Sequence, residues 1–254
     1  MGKTVDRRRD EIVDFVVREG VITFAQLKEK FPTASEMTLR TDLRALDEER
    51  RIVRIYGGAR SVEEVVGTDG LLSDRTVRNV SAKQQIADKA ATLVRPNTSI
   101  YLDSGSTTTV LASKLPDVPM LIFTNSLTVA SELSRLERPQ VVMVGGTLNR
   151  YSMSLAGGRA VDEVRRLSFD QVFLGVTSFD AVAGFSCGSE EEARLKRAAA
   201  EQARQVLMLM DSSKESRRST FSFCDLSQAD VVVSDGRLSD GAVAALSSVG
   251  ALII

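Results

Sequence analysis

Histidine and tryptophan are absent from this 254-residue chain, and cysteine occurs only twice. Without histidine the usual general base at neutral pH is missing, and a Ser-His-Asp triad is excluded. A Cys/His metal centre fails on the same count, so neither a metal nor another cofactor is expected. Cys187 and Cys224 lie far apart and suit packing in a reducing cytoplasm better than a disulfide or a nucleophile. No run of about 18 apolar residues exists, so no membrane span is expected. The opening Met-Gly-Lys-Thr-Val-Asp-Arg-Arg-Arg-Asp lacks the apolar core of a signal peptide. Charge of one sign is lacking too. The net charge is -1, with 43% hydrophobic and 26% charged residues, an ordinary globular profile without a strong global field.

What is present begins at the N-terminus. Residues 1–60 hold 13 Lys+Arg against 11 Asp+Glu, leaving 20 against 23 for the remainder. Arg7 to Val17 reads as a first helix with Ile12, Phe15 and Val16 on its apolar face, ended by Gly20. Thr23 caps a second helix carrying Phe24, Leu27 and Phe31, and Pro32-Thr33-Ala34 turns the chain into Ser35. Ser35 is a good N-cap for a third helix. Leu39, Leu43 and Leu46 make one apolar stripe there, leaving Thr38, Arg40, Thr41 and Arg44 free to reach phosphates and base edges. Arg51, Arg54 and Arg60 then surround Ile52, Val53, Ile55 and Tyr56, with Gly57-Gly58 as a turn. Three helices followed by a basic hairpin predict a winged helix-turn-helix over residues 1–60, docked on duplex DNA. A solvated charged face, or a head used for protein contacts, would share the leucine stripe. Arg54, Tyr56 and Arg60 in the hairpin favour DNA.

Residues 61–80, rich in Ser, Glu, Gly and Asp, read as a linker. From residue 81 to 254 helical patterns at Ala82–Leu93, Thr109–Leu115, Leu127–Leu136 and Glu190–Gln205 alternate with short apolar runs. The runs are Ser99–Leu102, Met120–Phe123, Val141–Val144, Gln171–Leu174, Val206–Met210 and Val231–Val233. Such alternation predicts an α/β domain with a mostly parallel sheet covered on both faces. Small polar loops follow the strands: Asp103-Ser104-Gly105-Ser106-Thr107-Thr108, Thr124-Asn125-Ser126, Gly145-Gly146, Gly175-Val176-Thr177-Ser178, Asp211-Ser212-Ser213-Lys214 and Ser234-Asp235-Gly236. In open parallel sheets ligands bind outside the carboxyl ends of the strands, and backbone N–H groups at a helix start favour an anion. Lys214 would balance its charge. Tight turns need small polar residues anyway, and no P-loop or Gly-x-Gly-x-x-Gly fingerprint is present.

These segments carry a family resemblance. Gly20 to Leu27, Ser35 to Leu43 and Tyr56-Gly57-Gly58-Ala59 resemble the head of DeoR-type (DeoR/GlpR) bacterial transcription regulators. The head departs from that family's usual pattern at Thr41, where a second arginine is usual, and at Tyr56, where a histidine is usual. The Asp103 loop, Thr124-Asn125-Ser126, Gly145-Gly146, Glu190 to Arg197 and Asp211 to Lys214 resemble the same family's effector domain, so the likeness spans nearly the whole chain. It implies a larger domain similar in fold to sugar-phosphate isomerases that senses a phosphorylated sugar. It also adds Lys83 and Lys196 to the effector-binding candidates Asp103, Ser104, Gly105, Ser106, Thr107, Thr108, Thr124, Asn125, Gly145, Gly146 and Lys214.

The expected function is a cytoplasmic regulator of carbohydrate-metabolism genes, a repressor. Its partners would be an operator and a phosphorylated sugar or polyol, and it would act as a homodimer or homotetramer. The alternative is a sugar-phosphate isomerase or deaminase with a fused head. Its proton shuttle would need Asp103, Asp180 or the Glu190-Glu191-Glu192 run, the last of which reads as a helix's negative first turn. A binding protein without turnover is the favoured expectation.

Overall fold

The computed structural model describes residues 2–19, 21–49, 51–55, 57–61 and 72–254. The chain forms two compact units, Met1–Thr68 and Asp69–Ile254.

In the first unit α1 (Gly2–Glu19), α2 (Phe24–Lys30) and α3 (Glu36–Glu48) surround Ile12, Val16, Leu27, Leu39, Leu43 and Leu46, all buried. Two side-chain caps fix where the helices start. Thr23 Oγ1 accepts from Gln26 N (3.2 Å) while Gln26 Oε1 accepts from Thr23 N (2.8 Å). Ser35 Oγ accepts from Thr38 N (3.1 Å). Each such cap contributes about 1 kcal/mol. Strands β1 (Val21–Thr23), β2 (Ile52–Ile55) and β3 (Gly58–Ser61) form an antiparallel sheet in the order β1-β3-β2.

Ile55 pairs with Gly58, so Gly58 belongs to β3 and not to the turn where Gly57-Gly58 was expected. Gly58 is required for a different reason: a Cβ there would lie 2.0 Å from the Ile22 carbonyl oxygen. β1 runs beside β3 too closely there for any side chain.

The second unit is built on seven parallel strands in the order β15-β14-β12-β9-β4-β5-β6. They are β4 (Ser99–Leu102), β5 (Leu121–Thr124), β6 (Gln140–Met143), β9 (Gln171–Gly175), β12 (Val206–Met210), β14 (Val231–Ser234) and β15 (Leu252–Ile253). Successive residues serve opposite faces. Ile100, Leu102, Phe173, Leu207, Leu209, Val231 and Val233 pack with α5 (Val80–Leu93), α6 (Ser106–Lys114) and α7 (Leu127–Leu133). Tyr101, Val172, Leu174, Met208, Met210 and Val232 face the other way, among buried residues of α8 (Gly158–Val164), α9 (Glu190–Glu201) and α10 (Asp240–Ser248). That second layer also holds an antiparallel sheet of β10 (Ser178–Asp180), β11 (Gly184–Cys187) and β13 (Phe221–Cys224). Its Phe179, Phe185 and Phe223 are fully buried.

A hairpin of β7 (Thr147–Asn149) and β8 (Ser154–Ala156) completes the strands. The stretch 61–80 read as a linker contains the end of β3, a short helix α4 (Leu72–Val77) and the first residue of α5. Leu72 is buried and its N–H donates to the Tyr151 carbonyl (2.9 Å). Among the described residues no helix is long and apolar enough to cross a membrane.

Candidate functional site

In the head, Leu39, Asp42, Leu43 and Leu46 are the buried side of α3, and Met37, Arg40, Thr41 and Arg44 lie exposed on its other side. Ser35 Oγ and Thr38 Oγ1 bond each other (2.8 Å), closing the helix start. The Arg40 guanidinium stands 4.5 Å over the Phe24 ring, which holds this long side chain beside α2. Thr41 Oγ1 donates to the Met37 carbonyl (2.8 Å), so its one hydrogen is already engaged. Arg44 lies 3.6 Å from Glu48, an exposed i,i+4 pair. Arg54 is exposed on β2, its N–H donating to Asp47 Oδ1 (3.0 Å), and the backbone of Arg60 lies in β3. Tyr56, expected in the hairpin, lies outside the described residues.

Asp42 is a residue that the sequence reading passed over. It is 2% exposed and accepts from Arg8 Nε (2.7 Å) and Arg9 Nε (3.1 Å), clasping α1 to α3. Its position three residues after Leu39, on the buried stripe, was the available signal.

In the second unit the chain progresses outward from β4 to β5 and β6 on one side. It then returns to β9 on the other side and continues to β12, β14 and β15. The strand order therefore reverses between β4 and β9, where open parallel sheets form their crevice. Here the structure brings Asp103, Gly175 and Lys196 together. Asp103 (2% exposed) accepts from Gly175 N–H (3.1 Å) and from the Lys196 ammonium; Lys196 (4% exposed) also donates to the Gly175 carbonyl (2.8 Å). Burial is the largest single influence and works against the Lys196 charge, but the charge and hydrogen bond of Asp103, with Cys187 and Glu192 nearby, together outweigh it and the pKa is raised.

Beyond this clamp the Asp103 loop runs into α6. Gly105, with φ +143°, is the N-cap, and no side chain caps this helix. Thr108 and Thr109 direct their hydroxyls to the Gly105 carbonyl (2.9 and 2.8 Å). The hydroxyls of Ser104, Ser106 and Thr107 make no hydrogen bond to protein among the described residues, and Ser104 and Ser106 are buried. By contrast Ser126, Ser189 and Ser239 cap α7, α9 and α10 with their own hydroxyls.

The other expected residues have defined duties within the fold. Thr124 Oγ1 accepts from Ser126 N (3.1 Å). Asn125 accepts from Tyr101 Oη (3.0 Å) and donates to the Leu155 carbonyl (3.0 Å), pinning the β7–β8 hairpin to the carboxyl edge of the sheet. Gly145 N–H donates to Glu163 Oε2 (2.9 Å), and Gly146 packs against Ala156. Lys83 is buried and its ammonium donates to the carbonyls of Arg75 and Arg78 at the end of α4. Lys214 is half-buried at the end of a 3₁₀ turn after β12, next to β9 in the sheet. Asn79 donates to Asp211 Oδ1 (3.2 Å) and Ser213 Oγ (3.0 Å), so the α4–α5 corner sits over that turn.

The carboxylates that an isomerase would need are engaged elsewhere. Asp180 accepts from Ala183 N (2.8 Å) and Val182 N (2.9 Å), bonds that hold it below the ordinary carboxylate range. Glu190–Glu192 form the first turn of α9 behind the Ser189 cap, and Glu190 pairs with Arg194 (2.7 Å). Asp103 is in the ion pair.

The DeoR-like helix-turn-helix domain matches residues 8–65, and the DeoR C terminal sensor domain matches residues 78–236. The HTH-type transcriptional regulator GlpR of Haloferax volcanii is 35% identical, over 87% of this chain and 86% of its own. The glycerol-3-phosphate regulon repressor of Escherichia coli is 29% identical, over 90% of each chain. Among solved structures, ribose 5-phosphate isomerase A of Methanocaldococcus jannaschii is similar at a TM-score of 0.39 and 18% identity, covering 52% of this chain and 53% of its own. With a helix-turn-helix head and a sensor domain in this order, the chain belongs to the DeoR family of transcription regulators, which are not enzymes.

Proposed function

We propose that this regulator represses carbohydrate-metabolism genes and is controlled by a phosphorylated sugar or polyol held at the carboxyl edge of the seven-stranded sheet. One observation carries the reading. At the reversal of strand order the Asp103–Lys196 clamp fixes a loop whose Ser104, Ser106 and Thr107 hydroxyls have no protein partner among the described residues, at the start of a helix that no side chain caps. Uncapped N–H groups, the helix dipole and free hydroxyls together suit a phosphate. Lys214, on the neighbouring strand's loop, supplies a cation. A relative named for glycerol 3-phosphate points to the same ligand class.

The route to the head is covalent. The α4–α5 corner is bonded to the Asp211–Ser213 turn and the start of α4 to Tyr151, and α4 follows the segment joining the two units. A ligand that moves this corner biases the head, provided its affinity differs between the DNA-competent and incompetent states. Two heads on paired half-sites require a homodimer or homotetramer.

Thermal unfolding against phosphorylated sugars and polyols, each beside its unphosphorylated parent, tests the pocket. At 100 times its Kd a ligand adds about 2.7 kcal/mol, and Ser106→Ala with Thr107→Val should abolish the shift. Stabilisation by parent and phosphate alike would overturn the anion pocket. For the head, anisotropy with operator DNA should fall steeply with salt, by a log-log slope of about -0.9 per phosphate neutralised. Arg44→Ala should weaken DNA binding and leave the ligand shift intact.

A further inference from the structure

The outermost line of the recognition helix α3 is not basic at its leading end. Taking Leu39, Asp42, Leu43 and Leu46 as the buried side, the residues opposite are Met37, Thr41, Arg44 and Glu48, spaced i, i+4, i+7 and i+11. Arg40 lies to one side, held over Phe24, and Arg44 is paired with Glu48 in the C-terminal half. The N-terminal half of the ridge therefore presents Met37, 75% exposed, and Thr41. Thr41 directs its hydroxyl hydrogen to the Met37 carbonyl, which leaves its methyl group as the outward-facing apolar end.

A single exposed apolar side chain is ordinary surface. Met37 differs in its place. In helix-turn-helix proteins the first residues of the third helix meet the base edges, and the only apolar group in the major groove is the C5-methyl of thymine. An unbranched thioether reaches such a methyl at little conformational cost. Neither Met37 nor the outward end of Thr41 offers a donor for guanine O6/N7 or adenine N7.

We infer that Met37 is a specificity-determining residue that reads a thymine methyl in the operator, with the Thr41 methyl beside it, while Arg40 and Arg44 contact the backbone. The inference rests on the reading of the head as DNA-binding.

The test begins by selecting bound duplexes from a random library with the full chain, then replacing each thymine of the selected site singly with deoxyuracil, which removes only the C5-methyl. At one thymine per half-site wild type should lose about fourfold in Kd, the worth of one buried methyl. In Met37→Ala that step should shrink to near unity, and Met37→Leu should restore it. Exposure of Met37 makes both variants benign for folding, checked by unchanged thermal unfolding. Failure to enrich any duplex would overturn the DNA-binding reading itself. Enrichment with no uracil-sensitive thymine, or with the same sensitivity in Met37→Ala, would overturn the assignment of Met37 and leave DNA binding standing.

Discussion

Asp42 in the head and Asp103 in the sensor domain are equally shielded from water and held in opposite ways. Asp42 is gripped by Arg8 and Arg9, whose side chains remain 24% and 22% exposed. Asp103 meets one lysine, itself 5% exposed at the side chain, and one backbone N–H. Arginine is weakly hydrated, and its flat fork can keep one edge in water while the other binds a carboxylate. The head clasp is thus a partly solvated pair stitching two helices. The Lys196–Asp103 pair is buried, with Gly175 hydrogen-bonded to both members and the Phe223 ring 5.3 Å from the ammonium, and breaking such a pair costs more than never having built it. Its position explains its presence: it locks the loop after β4 to the end of β9 across the reversal of strand order, and so holds the open start of α6 in place.

The largest expected effect separates the two sites. Lys196→Met should destabilise the sensor domain by about 3–5 kcal/mol, because Asp103 is left buried with only the Gly175 N–H. Adding Asp103→Asn should recover most of that loss, since an amide oxygen still accepts from Gly175 without a charge. Hydrogen exchange would report it as lost and regained protection at 103–108 and 171–175, with the head unchanged. A single variant costing under about 1 kcal/mol would put the clamp in the class of surface pairs. Asp42→Ala should cost less, about 2 kcal/mol, because Arg8 and Arg9 can turn to water when their partner goes. The loss should appear in α1 and α3 alone. An Asp42→Ala head as unstable as the Lys196→Met sensor domain would erase the distinction drawn from solvent access.

Much of this was legible in the sequence where a local rule governs. Thr23 and Ser35 stand where capping geometry needs them, and the apolar runs from Ser99 to Val233 fall within one residue of the six main strands. Elements that depend on distant partners were not legible. β1 is three residues long and exists because the Gly58 backbone accepts it. The sheet of β10, β11 and β13 is buried on a face already crowded with helices, so its Phe179, Phe185 and Phe223 give no alternation of apolar with polar. In the candidate sites, the Asp103 loop was visible as a motif. Which hydroxyls stay open was not, because Thr108 and Ser106 are chemically alike and only the Gly105 carbonyl tells them apart. Likewise Asn125 reads as a ligand residue until the β7–β8 hairpin occupies its amide.

The smallest expected effect concerns pH. The chain has no histidine, and burial pushes the Cys187 thiol up to about 11 and the Cys224 thiol up to about 12. The sensor domain should therefore show nearly constant stability from about pH 5 to 8. Raised thiol values mean that the folded form keeps protons the unfolded chain releases, so stability should decline as pH rises past about 8.5. On the acid side Asp170 accepts from Ser99 N (2.9 Å) and Ser99 Oγ (3.0 Å), and these bonds hold its carboxyl below the ordinary range. A depressed folded value stabilises fully above the unfolded pKa of about 3.9 and is lost as pH falls through the folded one. Asp170→Asn should accordingly be the less stable protein at pH 7, with the gap to wild type closing below about pH 4. Urea unfolding at fixed pH steps measures it. A gap that stays the same at pH 3 and pH 7 would mean that the bonds to Ser99 position the β4 and β9 strand starts without favouring the ionised carboxylate.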